Sequence, residues 1–342
     1  MPDAATATPK RPKARLWAAA GAVVLLAVVA LVSWPVLSSS MAQSAASLTP
    51  AKIDGNRAYG YLQAICKFGP RTAGSEANAR QREFVAKHFR EHGATVKEQP
   101  FAGADPLSGQ RVDMVNLVGS WFPERTERVV IGVHYDTRPH PDEDPDPANR
   151  LKPFLGANDG ASGVALLMEI AHHLKDAPTP RGVDLVLFDG EELVYGGGQN
   201  QVGEYFLGSK AFARAYGQSQ RNRKRTTPHY AYALVLDMVG DKDLTIDQEQ
   251  YSLDFAPRLV RDVWAVAKAL KVDQFRNQKS RVAVTDDHLP LYNAGIPAID
   301  IIDFDYPHWH TARDLPENCS GASLEAVGKV VTAWLNKPKP RR

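Results

Sequence analysis

Four near-continuous apolar runs in this chain each end on an acid or a histidine. His134 and Asp136 follow RVVIGV, Glu191 and Glu192 follow VDLVLFDG, Asp237 follows YALVL, and His310 follows IDIIDFDYPHW. Runs this rich in Val, Ile and Leu read as strands buried on both faces, as in a sheet covered by helices. Residues just beyond such strands lie at their carboxyl ends, where open α/β sheets place ligands. With Asp159 in LGANDGASG, five or six oxygen and imidazole donors can converge there. A donor set of that kind, with no thiolate near it, points to a metal, zinc before others.

The segments between the runs carry a helical period. EANARQREFVAKHFREHG has helical apolar spacing and a glycine stop at Gly93. Helices are expected over ASGVALLMEIAHHLK, LGSKAFARAY, APRLVRDVWAVAKALK and ASLEAVGKVVTAWL, and further strands over VDMVNLVGSWF and PAIDII. Strands alternating with helices predict an α/β fold: a three-layer α/β/α sandwich around a mostly parallel, mixed sheet.

Each motif has a plain structural alternative. His134 and Asp136 stand two apart on a strand and so share a face, one able to bind metal while the other orients it from behind. Asp159 among small residues could instead be a helix N-cap. Adjacent Glu191 and Glu192 at the end of an apolar strand are costly unless a cation or a proton compensates them. One is then a ligand and the other a proton carrier, the alternative being a solvated loop. In DDHLPLYNAGIP, capping accounts for part of Asp286, Asp287 and His288 but not for all three. In HWHT, His310 is the better ligand candidate than His308, and Trp309 offers an apolar pocket wall or an ordinary packed indole. The acidic segment RPHPDEDPDPANR reads as a solvated loop bordering the cleft.

The amino terminus has its own logic. Residues 16–37 contain no charge, and 22 residues at roughly 1.5 Å each cross a hydrocarbon core of about 30 Å. Lys10, Arg11, Lys13 and Arg15 precede the span and no charge recurs until Lys52, which orients the amino terminus to the cytoplasm. The expected organisation is a basic cytoplasmic tail (1–15), a transmembrane signal anchor (16–37), a linker (38–49) and one extracytoplasmic domain (50–342), with a cleaved signal and a secreted domain as the alternative. The bilayer is thus an expected partner. A net charge of +2 gives no nucleic-acid footprint, and Arg221, Arg223, Lys224 and Arg225 read as a solvated loop. Cys66 and Cys319 form one disulfide tying the first helix to the last, or are two inert buried thiols.

Taken in order, HYD, GANDGASG, DGEE, LDMVG, DDHLP and WHT resemble the superfamily that joins the zinc aminopeptidases of metallopeptidase family twenty-eight with the glutaminyl-peptide cyclotransferases, closer to the cyclase branch. The resemblance covers most of the chain from about residue 50 onward. It implies Asp159, Glu192 and His310 as ligands of one zinc and Glu191 as the acid/base. In the aminopeptidase branch it implies a second zinc held by His134, Asp159 and Asp237, with Asp136 behind His134. In the cyclotransferase branch it implies one zinc, with Asp237 and Asp286 as a carboxylate pair handling the substrate amine, His288 behind them and Trp309 lining the pocket. Peptide or protein amino termini are the implied substrates in both. The segment after DGEE departs from the cyclotransferase pattern, with glycines around Gly196 where a further tryptophan is usual. A third reading, a receptor-like relative without activity, would be expected to have lost ligands, and this chain keeps all five.

Overall fold

The computed structural model describes residues 48–196, 200–221 and 223–339. The apolar segment 16–37, its basic flank and most of the linker lie outside the described residues. Among the described residues no helix is long and apolar enough to cross a membrane.

The described residues open with helices α1 (Gly55–Cys66) and α2 (Glu76–Glu91), followed by strands β1 (Thr95–Ala104), β2 (Arg111–Trp121) and β3 (Glu127–His134). Helices and strands then alternate as α3 (Ser162–Leu174), β4 (Gly182–Phe188), the two-residue strands β5 (Val194–Tyr195) and β6 (Val202–Gly203), α4 (Leu207–Arg221) and β7 (His229–Asp237). The last third adds β8 (Ile246–Gln248), α5 (Gln250–Phe255), α6 (Pro257–Leu270), β9 (Phe275–Lys279), α7 (His288–Asn293), β10 (Ala298–Ile302) and α8 (Gly321–Leu335). Local signals set the ends: Ser75 accepts the Asn78 N–H to cap α2, and Gly93 follows that helix at φ 87°. Pro257 opens α6 and Lys271 ends it in the left-handed region.

The main sheet runs β1-β2-β4-β3-β7-β10. β4, β3, β7 and β10 are mutually parallel, whereas β2 is antiparallel to both β4 and β1. Alternate residues of the parallel strands feed two cores. Val129, Ile131, Val133, Leu185, Leu187, Leu234, Leu236, Ile299 and Ile301 pack with α1, α2, α3, α6 and α8 on one face. Val130, Val186, Phe188, Ala233, Val235 and Ala298 pack with Phe212 of α4 and Leu291 of α7 on the other. Burial on both faces is why these strands read as unbroken apolar runs, and each fully buried Val, Leu or Phe contributes roughly 1.5–3 kcal/mol. The expected sandwich is therefore present, with a mixed sheet.

Of the six strands of the main sheet, β1 is the one that apolar runs do not disclose, and the short β5, β6, β8 and β9 outside it are not disclosed either. Residues of β1 alternate between exposed and half-buried along the sheet edge, and Pro100 sits in it as edges allow. Cys66 and Cys319 are free and buried, so the disulfide alternative does not hold; burial pushes the Cys66 thiol up to about 11. Arg223, Lys224 and Arg225 are exposed, as expected of a solvated loop.

At the amino ends of the parallel strands, Arg128 of β3 and Asp184 of β4 form a buried ion pair, Nη2–Oδ1 2.6 Å and Nε–Oδ2 3.0 Å. Arg128 also donates to the carbonyls of Trp121, Phe122 and Val183, and the Tyr230 hydroxyl donates to Asp184 at 2.8 Å. Removing one partner leaves the other charge buried and uncompensated, which costs about 3–5 kcal/mol. Arg128→Met should lower unfolding stability by that amount in a denaturant titration while turnover per folded molecule is unchanged. A loss below about 1 kcal/mol would show that this pair does not hold the strand ends together.

Candidate active site

Because β3, β4, β7 and β10 are parallel, their carboxyl ends share one edge of the sheet. His134 and Asp237 are the last residues of β3 and β7, Glu191 and Glu192 follow β4, and His310 follows β10. Asp159 arrives on the loop that leads into α3. That loop comes close because residue 160 is glycine at φ 93°: a Cβ there would lie 2.5 Å from the Asp136 carbonyl oxygen and 3.3 Å from the His134 ring. Asp159 is not the cap of α3. The N-cap is Ala161, with no side-chain bond, so the capping alternative is replaced by a carboxylate turned into the site.

The expected donors meet in two overlapping sets. Asp159, Glu192 and His310 place one donor atom each within 4.8 Å of one another, and so do His134, Asp159 and Asp237. Asp159 belongs to both: Oδ1 is 3.2 Å from His134 Nε2 and Oδ2 is 3.5 Å from His310 Nε2. His310 Nε2 is 2.8 Å from Glu192 Oε1, and His134 Nε2 is 3.1 Å from Asp237 Oδ1. Asp136 does more than stand behind His134, whose Nδ1 is 3.9 Å away. Its two oxygens accept the backbone N–H groups of Glu191 and Glu192, both at 3.0 Å, and so hold the glutamate turn. Asp286 precedes α7, and its donor atoms lie within 4.8 Å of those of His288 and Asp300. His288 is buried behind it, 3.5 Å from Glu249. His308 packs edge-on against Tyr306 and stays out of the donor sets.

A cavity of about 270 Å³ opens onto these groups, lined by Glu191, Asp237, Asp286, Trp309, Phe304 and Tyr205 among others. The Trp309 ring stacks on His310 with centroids 3.8 Å apart, so the indole is pocket wall rather than core. His310 itself has φ 52°, a left-handed backbone that a non-glycine residue keeps only when its surroundings over-determine it. Part of that determination comes from the acidic segment 138–150, whose first half is anchored rather than solvated as expected, while residues 145–148 and Arg150 are exposed. Arg138 and Asp144 are buried; Asp144 accepts the Ala312 N–H at 2.8 Å, and the Glu143 N–H donates to the His310 carbonyl at 3.2 Å. Arg138 binds Asp142 through both Nε and Nη2, which brings Asp142 to 3.7 Å from His310 Nδ1.

The two glutamates carry opposite electrostatics. Burial works against ionising Glu192, but the His310 ring against it and Arg138 beside it hold its pKa down to about 2. Burial pushes Glu191 well above the usual carboxylate range, and the charges of Glu192, Asp287 and Asp286 add to the effect despite His134. Burial and the Glu192 charge likewise push Asp159 well up. For His134 burial opposes protonation, yet bonds to Asp159 and Asp237 raise its pKa well above normal, and its Nδ1 lacks any hydrogen-bond partner among the described residues. Acids thus gather a proton at a point where a cation between the same atoms would release it. Carboxylate and imidazole donors without sulfur fit a zinc ion.

Two residues that complete this arrangement had no signal in the sequence. Asp314 accepts the N–H groups of Asn158 and Asp159 at 2.8 and 3.1 Å and the Tyr306 hydroxyl at 2.9 Å, locking the Asp159 loop. Arg71, fully buried, donates to the carbonyls of Leu155 and Gly156 on the same loop. Neither follows an apolar run, and only the fold brings them to the site.

Comparison with known proteins decides the relationship. Residues 116–335 match peptidase family M28. The chain belongs to that family. It is similar to the crystal structure of Fimbriiglobus ruber glutaminyl cyclase, with TM-score 0.81 and 40% identity over 85% of this chain and 97% of that one. It is also similar to a leucine aminopeptidase precursor from Bacteroides thetaiotaomicron, with TM-score 0.76 and 32% identity over 84% of this chain and 98% of that one. A bovine glutaminyl-peptide cyclotransferase-like protein is 25% identical over 293 residues, 78% of this chain and 71% of the relative. Like these cyclases and exopeptidases, this M28 member is an enzyme, and both alternatives named from the sequence are represented among its relatives.

Asp314→Asn replaces one acceptor facing the Asn158 and Asp159 amides with a donor. Residues that orient ligands in this way are worth about 10–100-fold in metal affinity. Competition with a chromogenic chelator should show zinc binding weakened by that factor with the far-UV circular dichroism retained. Unaltered affinity would show that Asp314 does not position Asp159.

Proposed function

We propose that the chain is a zinc-dependent glutaminyl-peptide cyclotransferase, converting an amino-terminal glutamine to pyroglutamate with release of ammonia. The observation that carries this reading is the row of carboxylates beside the metal donors, Asp237 half-buried and Asp286 and Asp300 buried. Asp237 and Asp286 line the cavity, and Asp300 lies behind Asp286. Burial and the charge of Asp237 raise Asp286 to about 6, and burial with the charges of Asp286 and Asp237 raises Asp300 well up. Such a row can accept hydrogen bonds from an α-amine and share a proton with it near neutrality.

A zinc held by Asp159, Glu192 and His310 would polarise the γ-carbonyl and stabilise negative charge developing on its oxygen. The chain does the rest. Asp237 and Asp286 orient the α-amine towards the γ-carbon, and Trp309 and Phe304 pack on the glutamine methylenes and keep water from competing. Glu191, whose carboxyl is held by burial well above the usual carboxylate range, takes the proton of the attacking amine and delivers it to the departing amide nitrogen. Bonds balance: the α-nitrogen to γ-carbon bond forms, the γ-carbon to amide-nitrogen bond breaks, and ammonia leaves.

A second reading, a two-zinc aminopeptidase, is supported by the second donor set of His134, Asp159 and Asp237 and by the likeness to the leucine aminopeptidase precursor. Glu191 would then take its proton from the attacking water. Glutaminyl and leucyl peptides offered side by side separate the two: the cyclase reading requires ammonia from the first and no free leucine from the second, and the reverse result overturns it. In either case Glu191→Gln should lower turnover by about 10²–10⁴-fold while zinc content stays at the wild-type level.

We propose further that residues 16–37 anchor the enzyme in a bilayer, with the domain on the extracytoplasmic side, because basic residues flank only the amino end of the apolar segment. Protease added outside an intact inner membrane should digest the domain. Protection until that membrane is lysed would reverse the orientation.

A further inference from the structure

Far from the active site, three imidazoles meet between α2 and α3. His88 lies in the last turn of α2, His92 is its C-cap residue, and His172 lies in the last turn of α3. Their ring centroids are 4.3 Å (His88–His92), 3.9 Å (His92–His172) and 5.1 Å (His88–His172) apart, and one nitrogen from each ring lies within 4.8 Å of the others. His172 stands ten residues into α3, whose other end adjoins Asp159, so helix rise alone separates the cluster from the catalytic site by about 15 Å.

The hydrogen bonds of these rings have the pattern of metal-binding histidines. His88 Nε2 contacts the Met168 carbonyl at 2.8 Å. A carbonyl only accepts, so Nε2 bears the hydrogen and the Nδ1 lone pair is free. His172 Nε2 contacts the Tyr61 hydroxyl of α1 at 2.7 Å, and in the tautomer that donates from Nε2 to the hydroxyl oxygen the Nδ1 lone pair is free as well. Neither ring nitrogen of His92 has a hydrogen-bond partner among the described residues. A carbonyl or hydroxyl on the far nitrogen is how ligating imidazoles are usually oriented. Adjacent His173 takes no part, being bound to Glu169, which also holds Arg57.

The rings are also uncharged at neutral pH. Burial lowers the pKa of His88 and His92, and burial with nearby His92 and Arg57 takes His172 down to about 4. Two imidazoles in the last turns of helices would ordinarily gain from protonation against the helix dipole. Here that gain is forgone, and three lone pairs are kept in a cluster that solutes can reach from the side of the half-buried His92 and His172, with His88 buried behind them.

We propose that His88, His92 and His172 form a second metal site, for a borderline divalent cation of the Zn²⁺, Ni²⁺ or Cu²⁺ type, that ties α2 to α3. Three neutral nitrogen donors with no carboxylate among them select such ions over Mg²⁺ or Ca²⁺, which need oxygen. The fourth position is left to water. Tyr61, bonded to His172, is a positioning residue for this ion.

The test uses the full chain, purified without an affinity tag, stripped of metal and dialysed against Zn²⁺, with bound metal counted by mass spectrometry. The wild type should retain one ion per chain more than the His92→Ala/His172→Ala double variant, whose peptide turnover should equal that of the wild type. Tyr61→Phe should keep the ion but bind it about 10–100-fold more weakly. Equal metal content in wild type and double variant overturns the proposal. Should the double variant fail to fold, His92→Gln alone, which breaks no side-chain hydrogen bond, is held to the same count.

Discussion

Two adjacent glutamates, both withdrawn from water, set the terms for everything at the carboxyl edge of the sheet. Buried carboxylates are tolerated only where hydrogen bonds, opposite charge or a proton compensates them. Here the compensation is divided. Asp136 fixes the turn through the two backbone N–H groups, His310 and Arg138 neutralise Glu192, and Glu191 is left as the carboxyl whose ionisation is least favoured. Two residues of one type, next to each other in sequence, thereby acquire different chemistry from what surrounds them.

Asp159 connects that division to the metal question. Its two oxygens face different histidines, so the two donor sets share a member rather than standing apart. Ligand identity alone therefore does not separate transfer from hydrolysis in this family. The separation lies in the nucleophile the pocket admits. On the proposed reading, the apolar wall of Trp309 and Phe304 and the carboxylates of Asp237 and Asp286 favour an amine already within the substrate over a water from outside.

Much of this was legible in the sequence, for a physical reason. A strand buried on both faces has to be apolar throughout, so β3, β4, β7 and β10 announce themselves, and so do the polar residues at their ends. His134, Glu191, Glu192, Asp237 and His310 were found in this way. β1 was not, because an edge strand with one wet face shows alternation weakened by Pro100 and Gly103. Asp159 was misread in part, since an acid before a helix has the same appearance whether it caps the helix or turns away from it. The acidic segment 138–150 was taken as solvated because its composition is that of a surface loop. The anchoring of its first half comes from Arg138 and the 310–312 backbone, which are partners no local pattern reveals, while residues 145–148 are exposed as that composition suggests. Asp314 and Arg71 belong to the same class, since they act on a loop distant from them in sequence.

The buried Arg128–Asp184 pair lies at the amino ends of the strands whose carboxyl ends carry the chemistry. The pair carries no net charge, and the eight residues of β3 span roughly 23 Å, a distance at which even two unit charges interact by only about 0.7 kcal/mol at an effective dielectric of about 20. Charge rearranged at one end is therefore barely felt at the other. A lineage can retune how firmly this domain holds together, for a hotter or saltier habitat, without disturbing proton affinities in the pocket. The same separation gives an engineer a region of the molecule where stability can be altered without touching specificity.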